Sequence, residues 1–308
     1  MEQMSRKKSL LLLGSTGFLG SAVVKALRSE KDKDLDLIIS QTSPLEGPLV
    51  FNFLDFDVEP RNLNRTPNLT NPLNTDLVVI NCASSRYSSS KEMSQQGNFE
   101  FPKKVLETLV TTEDLQINWV QIETFWQYAK SPIPDADYVL WKNQFKVFLK
   151  EFSINKNLRV SSLTLPHLVG PFDNPDRFLP KIFSKMLKNE TVTVNSPDEV
   201  FSLADVRDVA EYLVETLSKE TTDQESQTLL FPFYEMTLRE IINRFLVVSG
   251  SESHIQFVET SKSSNPSMIL SEQPSLLDAD RHSLRSLDTT FTDILQWLSR
   301  HHKIDNLQ

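Results

Sequence analysis

Apolar positions along the first half of the chain follow two alternating rhythms. Short strand-like runs, at residues 10–13, 35–39, 49–53, 77–82, 119–122 and 160–165, predict strands, of which 10–13 is of the buried type and 77–82 is apolar throughout. Between them lie stretches of helical spacing: 18–27, where Leu19, Val23, Ala26 and Leu27 share one side, then 99–110 and 138–152. Strands separated by helices predict an α/β chain with a doubly wound parallel sheet covered on both faces. Residues 60–74, rich in Pro and Asn, predict a loop. Beyond Pro166 the alternation weakens. Helices are predicted over 180–188, 206–217, 238–248 and 290–298, with one β-like run at 191–194, an exposed polar stretch at 218–227 and a Ser/Pro-rich loop at 261–275. This divides the chain into a first domain over 1–165 and a smaller α/β region over 166–308, with segments near 195–235 returning to the first domain.

A length of 308 residues buries a large core, and 39% hydrophobic with 24% charged residues is ordinary globular composition. The net charge of -9 argues against a nucleic-acid partner, which needs a basic face. Cys82 is the only cysteine, so an intrachain disulfide and a cysteine-rich metal site are excluded, and a reducing cytoplasm fits. Arg6, Lys7 and Lys8 before residues 10–13 imitate a signal peptide, but the apolar run is too short and ends in Gly14. No apolar run approaches the roughly 20 residues of a membrane span. A cytoplasmic protein without a membrane or nucleic-acid partner is expected.

The densest motif is Gly14-Ser15-Thr16-Gly17-Phe18-Leu19-Gly20. It holds three of the chain's 7 glycines, at G-x-x-G-x-x-G spacing, between the first strand and the first helix. Gly14 permits the tight turn, Gly17 a close backbone approach to a pyrophosphate, and Gly20 close packing of the helix. Free N–H groups at the helix start then face the phosphates. The sheet is thus read as Rossmann-type and the cofactor as NAD or NADP. Ser40, Gln41 and Thr42 follow the second strand with neither acid nor arginine, so the choice between the two stays open. Asp55, after the third strand, either meets the adenine or is a solvated loop acid.

Two Tyr-x-x-x-Lys spacings occur, Tyr87/Lys91 and Tyr138/Lys142. Tyr87 lies in a serine-rich run that predicts a loop with no helix to hold Lys91. Tyr138 opens a predicted helix behind the start signals Pro134, Asp135 and Asp137. There Lys142 shares its face. An ammonium so placed favours the phenolate of Tyr138 and can donate to a nicotinamide ribose, fitting the phenol for proton exchange with a sugar hydroxyl. Thr124 stands just past the strand at 119–122, at the sheet edge where ligands bind, and completes a catalytic trio.

These residues resemble the extended short-chain dehydrogenase/reductases, the epimerases, dehydratases and reductases of nucleotide sugars. The glycine loop, residues 76–83, Thr124, Tyr138 with Lys142, His167-Leu168-Val169-Gly170-Pro171, Arg177-Phe178-Leu179-Pro180 and Val206-Arg207-Asp208 carry the resemblance. Within the family the chain looks most like the abequose-synthase type of 4-ketoreductase. Asn81, Thr164, Val169 and Ala129 depart from the family's usual His, Arg, Tyr and Gly. The resemblance implies Cys82, Ala83 and His167 beside the cofactor, His167 alternatively being a packed structural residue. It implies Ser84, Phe125, Arg177 and Arg207 beside a nucleotide-sugar substrate, with the two arginines alternatively solvated. Trp126 and Trp141 either line the site or fill the core. The implied function is a reductase or epimerase at C4 of a nucleotide-activated hexose, and a homodimer built through helices 99–110 and 138–152. A dehydratase is disfavoured, because Phe125 and Trp126 stand where dehydratases carry an acid pair. The alternative is a non-catalytic dinucleotide-binding regulator or structural subunit, a class that typically loses the Tyr or the Lys.

Overall fold

The computed structural model describes residues 7–29, 35–39, 75–85, 90–112, 115–128, 135–154, 157–218, 228–259, 275–276 and 284–305. The expected strand at 49–53, the loop at 60–74, Asp55 and Tyr87 lie outside them.

Strand β1 (Lys7–Leu13) carries four consecutive leucines, each at most 1% exposed, as a strand covered on both faces requires. It leads into helix α1 (Phe18–Ser29), then strands β2 (Leu35–Ile39) and β3 (Thr75–Asn81). Helix α2 (Lys91–Gln95) is capped by Ser90, whose side chain accepts from the Met93 N–H. Lys91 therefore opens a helix, correcting the expectation of a loop there. A π-helical turn, Gln96–Glu100, joins α2 to α3 (Phe101–Val110). Strand β4 (Gln116–Thr124) ends in a 3-10 turn, Phe125–Tyr128, ahead of α4 (Ala136–Phe152). The Asp135 side chain caps α4 by accepting from the Tyr138 N–H at 3.1 Å. The second half contains β5 (Leu158–Leu165), β6 (His167–Val169), α5 (Phe178–Leu187), β7 (Val192–Asn195), β8 (Val200–Asp205) and α6 (Val206–Ser218). It continues through β9 (Thr228–Leu230), β10 (Tyr234–Thr237), α7 (Leu238–Ser249), β11 (Ile255–Val258), β12 (Ser275–Leu276) and α8 (Leu287–Asp305).

Seven strands form one sheet in the order β12-β9-β5-β4-β3-β1-β2, parallel at every pairing. The fold is the doubly wound Rossmann type. Strand order reverses at β1, which has β2 on one side and β3 on the other, so the crevice beyond the C-terminal ends of β1 and β3 is the switch point. On one face, Val105, Leu106, Trp119, Phe145 and Leu149 join α3 and α4 to the sheet. On the other, Leu10, Leu12, Ile80, Val209 and Leu213 join α1 and α6 to it. A third core holds α5, α7 and α8 together through Phe183, Phe245 and Phe291, with the first two rings stacked 3.9 Å apart. Each such buried aromatic stabilises by about 1.5–3 kcal/mol. The sheets β10-β8-β6 and β11-β7 border this core.

Candidate active site

The glycine loop lies at the switch point, and local sterics explain its composition. Gly14 has φ of +74°, and a Cβ there would lie 2.7 Å from the Ala83 nitrogen. The loop thus touches the backbone just past β3. A Cβ on Gly20 would lie 2.1 Å from the Gly14 carbonyl oxygen, so α1 can approach its own turn only because Gly20 has none. The turn closes by Gly17 N–H to Gly14 O, 3.0 Å. No acid occupies the first turn of α1, which leaves the positive helix end unopposed for an anion. Ser15 is buried and Thr16 and Gly17 exposed, while Leu19 packs into the core beneath. These residues fit a dinucleotide pyrophosphate.

Beyond β3, Ala83 is buried, and Ser84 Oγ donates to Asn98 Oδ1 at 3.1 Å. Burial pushes the Cys82 thiol up to about 12, against the opposing pull of the Lys142 ammonium. The cysteine is therefore a neutral thiol, half-buried just past the end of β3.

The predicted trio lies about the end of β4. Lys142, 5% exposed, donates from Nζ to the Ile122 carbonyl at 2.9 Å, and its Nζ lies 5.5 Å from the centroid of the Tyr138 ring. Tyr138 packs with Val139 against Phe125 and Trp126, the two residues that follow Thr124. The Thr124 N–H is held by Gln127 Oε1 at 2.9 Å, and its side chain is buried at the strand tip. Buried hydrogen bonds link this centre back to the loop: Ala83 N–H to Asn81 Oδ1 at 3.2 Å, Asn81 Nδ2 to Gln121 Oε1 at 2.9 Å, and Gln121 Nε2 to the same Ile122 carbonyl at 3.1 Å.

His167 packs its ring against Phe125, Trp126 and Phe201 at centroid distances of 4.8, 5.8 and 5.1 Å. It lines a cavity of about 240 Å³ with Trp126, Arg177, Phe178, Glu199 and Phe201 among others, and burial pushes the Glu199 carboxyl up. Arg177 pairs with Asp173 at 2.8 Å there. Arg207, expected beside the substrate, lines a different cavity with Phe18, Lys25 and Phe172, and its guanidinium holds Asp205 and Asp293. The structure thus gathers Thr124, Phe125, Tyr138, Lys142, His167 and Arg177 around the end of β4, with Arg207 in the other cavity. Trp141 packs its ring 6.1 Å from Phe99, on the α3 side.

One group escaped the sequence reading. Glu123, with its side chain 1% exposed, lies under Thr124, and its Oε2 accepts from Tyr128 Oη at 2.7 Å and Lys146 Nζ at 3.1 Å. Burial, then the Glu123 charge, push the Tyr128 phenol up while Lys146 opposes them. Burial works against the Lys146 ammonium, but Glu123 and Tyr128 outweigh it and hold its pKa above the usual lysine value. The available signal was a third residue at the i+4 step, Tyr138, Lys142, Lys146, with Glu123 the one acid in the strand before it.

Among the described residues, no helix is long and apolar enough to cross a membrane, and no cluster of three or more His, Cys, Asp or Glu is arranged to hold a metal ion. A model of the NAD dependent epimerase/dehydratase family matches residues 10–229. Solved structures share the fold. UDP-glucuronic acid 4-epimerase from Bacillus cereus, in complex with UDP-glucuronic acid and NAD, is 17% identical with a TM-score of 0.69, covering 95% of this chain and 99% of that one. RMD from Pseudomonas aeruginosa, complexed with NADPH, is 17% identical at 0.70, with the same coverage of 95% and 99%. UDP-glucose 4-epimerase from Thermus thermophilus, in complex with NAD, is 16% identical at 0.66, covering 94% and 99%. No curated protein matches the chain significantly by sequence.

Proposed function

The chain belongs to the NAD dependent epimerase/dehydratase family, and from that premise we propose that it is a reductase or epimerase acting at C4 of a nucleotide-activated hexose. The carrying observation is the convergence of Tyr138, Lys142 and Thr124 where β4 ends, joined by hydrogen bonds to the residue that touches Gly14. The loop Gly14 to Gly20 holds the pyrophosphate of NAD or NADP, with Cys82 and Ala83 beside the cofactor. When bound, that cofactor supplies or accepts the hydride at C4. Tyr138 exchanges a proton with the 4-oxygen, Thr124 hydrogen-bonds that oxygen, and Lys142 favours the phenolate and donates to the ribose. Phe125, Trp126 and Arg177 bound the sugar-nucleotide side, Arg177 meeting the diphosphate, while His167, expected beside the cofactor or as a packed structural residue, supports Phe125 and Trp126 by packing its ring against them. Elimination across C5–C6 needs a further acid and base, which Phe125 and Trp126 cannot supply.

Purified protein is incubated with NADPH and a panel of 4-keto nucleotide sugars while absorbance is followed, and with plain hexose nucleotides while C4 configuration is followed. Cofactor oxidation identifies a reductase and C4 inversion without it an epimerase. A 4-keto-6-deoxy product from a hexose nucleotide, or cofactor binding with no turnover of any substrate, refutes the proposal. The protein pairs with a second copy through α3 and α4, where Leu140 and Val147, one heptad apart on α4, are 42% and 56% exposed. Light scattering that gives a monomeric mass at micromolar concentration refutes this.

A further inference from the structure

The C4 chemistry leaves Glu123 unused, yet the fold keeps this carboxyl group buried next to Thr124. Its Oε2 takes both the Tyr128 hydroxyl and the Lys146 ammonium, while Oε1 has no hydrogen-bond partner among the described residues. An apolar pair of similar volume would fill such a position at lower desolvation cost, so packing alone does not account for it. The geometry around it is directional. Lys142 Nζ grips the carbonyl of Ile122, and Lys146, one turn further along the same helix face, grips the side chain of the next residue, Glu123. A second arm runs from the Thr124 N–H to Gln127 Oε1 at 2.9 Å, and from Gln127 Nε2 to Asn143 Oδ1 at 3.0 Å. Lys146 Nζ also lies 2.6 Å from the Tyr128 oxygen, so α4 holds the 3-10 turn that follows Thr124 through its last two residues, Gln127 and Tyr128.

We propose that Lys146 and Glu123 are positioning residues for the acid–base step. They fix the tip of β4 against α4, so that the Thr124 hydroxyl stays in register with the Tyr138 phenol. What is being positioned rests on the C4 reading; the clamp itself does not. The role is geometric, because a small misplacement of a reacting group costs rate rather than binding.

The test compares wild type with Lys146→Met, Lys146→Arg and Glu123→Gln in three measurements: steady-state kinetics, NADPH affinity by fluorescence, and hydrogen exchange. In Lys146→Met, kcat falls by about tenfold or more, while KM and NADPH affinity stay within about threefold. Exchange in a peptide covering residues 122–128 accelerates about tenfold, and a peptide covering residues 10–20 is unchanged. Lys146→Arg, which keeps the charge and donors, restores most of the rate, and Glu123→Gln resembles Lys146→Met. A wild-type kcat in Lys146→Met overturns the proposal, as does an Arg variant no better than Met. If wild type turns over no nucleotide sugar, the C4 reading falls, and exchange alone decides: unchanged protection at residues 122–128 in Lys146→Met sinks the clamp.

Discussion

Asp205 ends β8 and Glu123 stands one residue short of the end of β4; both are buried carboxylates paired with a helix base. Asp205 is fully satisfied. Its Oδ1 accepts from the Arg207 backbone N–H and Nε, and its Oδ2 from Arg207 Nη2 and the Thr290 hydroxyl of α8. Arg207 also reaches Asp293, and Arg285 ties α6 through Asp208 and Glu211. Glu123 has one oxygen supplied twice and the other not at all among the described residues. The comparison separates two uses of buried charge. A saturated carboxylate acts as a rivet between β8, α6 and α8. An undersupplied one, next to the groups proposed for the acid–base step, is kept in spite of its cost, and such exceptions concentrate at functional sites.

Substitutions at the β4 end should therefore remove rate, and those at the β8 end should remove stability. The largest expected effect is Tyr138→Phe, which deletes one oxygen and lowers turnover by about 10²–10⁴ with folding and cofactor affinity preserved. Lys142→Met should lose rate comparably and weaken cofactor binding too. Near-normal kinetics in Tyr138→Phe would place the chemistry elsewhere and dissolve the contrast. Next comes Asp205→Ala, which leaves Arg207 and Thr290 facing a gap and should destabilise by about 3–5 kcal/mol, read by urea unfolding, with turnover per folded molecule unchanged.

A smaller effect is the acid side of stability. Burial raises the Asp205 pKa, but hydrogen bonds from Arg207 and Thr290 outweigh it and hold the carboxyl below its usual value. Folded Asp205 thus binds its proton more weakly than the unfolded chain does. Its stabilisation is present above about pH 4 and is lost as pH falls through the lowered folded value. The neighbouring Asp208, pushed up by burial, has the opposite sign. Hence the informative quantity is the difference between wild type and Asp205→Asn, which should shrink as pH drops below about 4. A difference that grows in acid would reverse the assignment. The smallest effect is Arg207→Lys. It keeps the charge but loses the planar fork to Asp205 and Asp293, and should cost about 1 kcal/mol in a thermal melt.

Much of the β4 side was legible, because its signals are local. The glycine loop follows a run of four leucines, and Tyr138 and Lys142 lie one helical turn apart behind the Asp135 cap. What stayed hidden depends on distant partners. Glu123 meets Lys146 across 23 residues and Arg207 meets Asp293 across 86, and neither separation leaves a periodic trace. Strands β6, β8 and β10 escaped because three to six residues with interspersed polar groups give no run to detect. The apolar spacing around α3 points to a helix start at 99. The chain is in fact helical from Lys91, with a widened π turn just ahead of Pro102, whose missing N–H cannot close an α-helical bond.

The absent Cβ of Gly14 has a mechanical consequence. The Ala83 backbone lies so close that the gap has no room for even a Cβ, so a shift of the loop toward β3 soon meets it. Ala83 is linked through Asn81 and Gln121 to the very carbonyl that anchors Lys142. Loop and lysine are thus two ends of one hydrogen-bonded linkage, so occupancy at the first should be felt as strain or relief at the second. A designer who wished to uncouple the ends would cut at Gln121, the middle of the linkage, and leave both grips untouched.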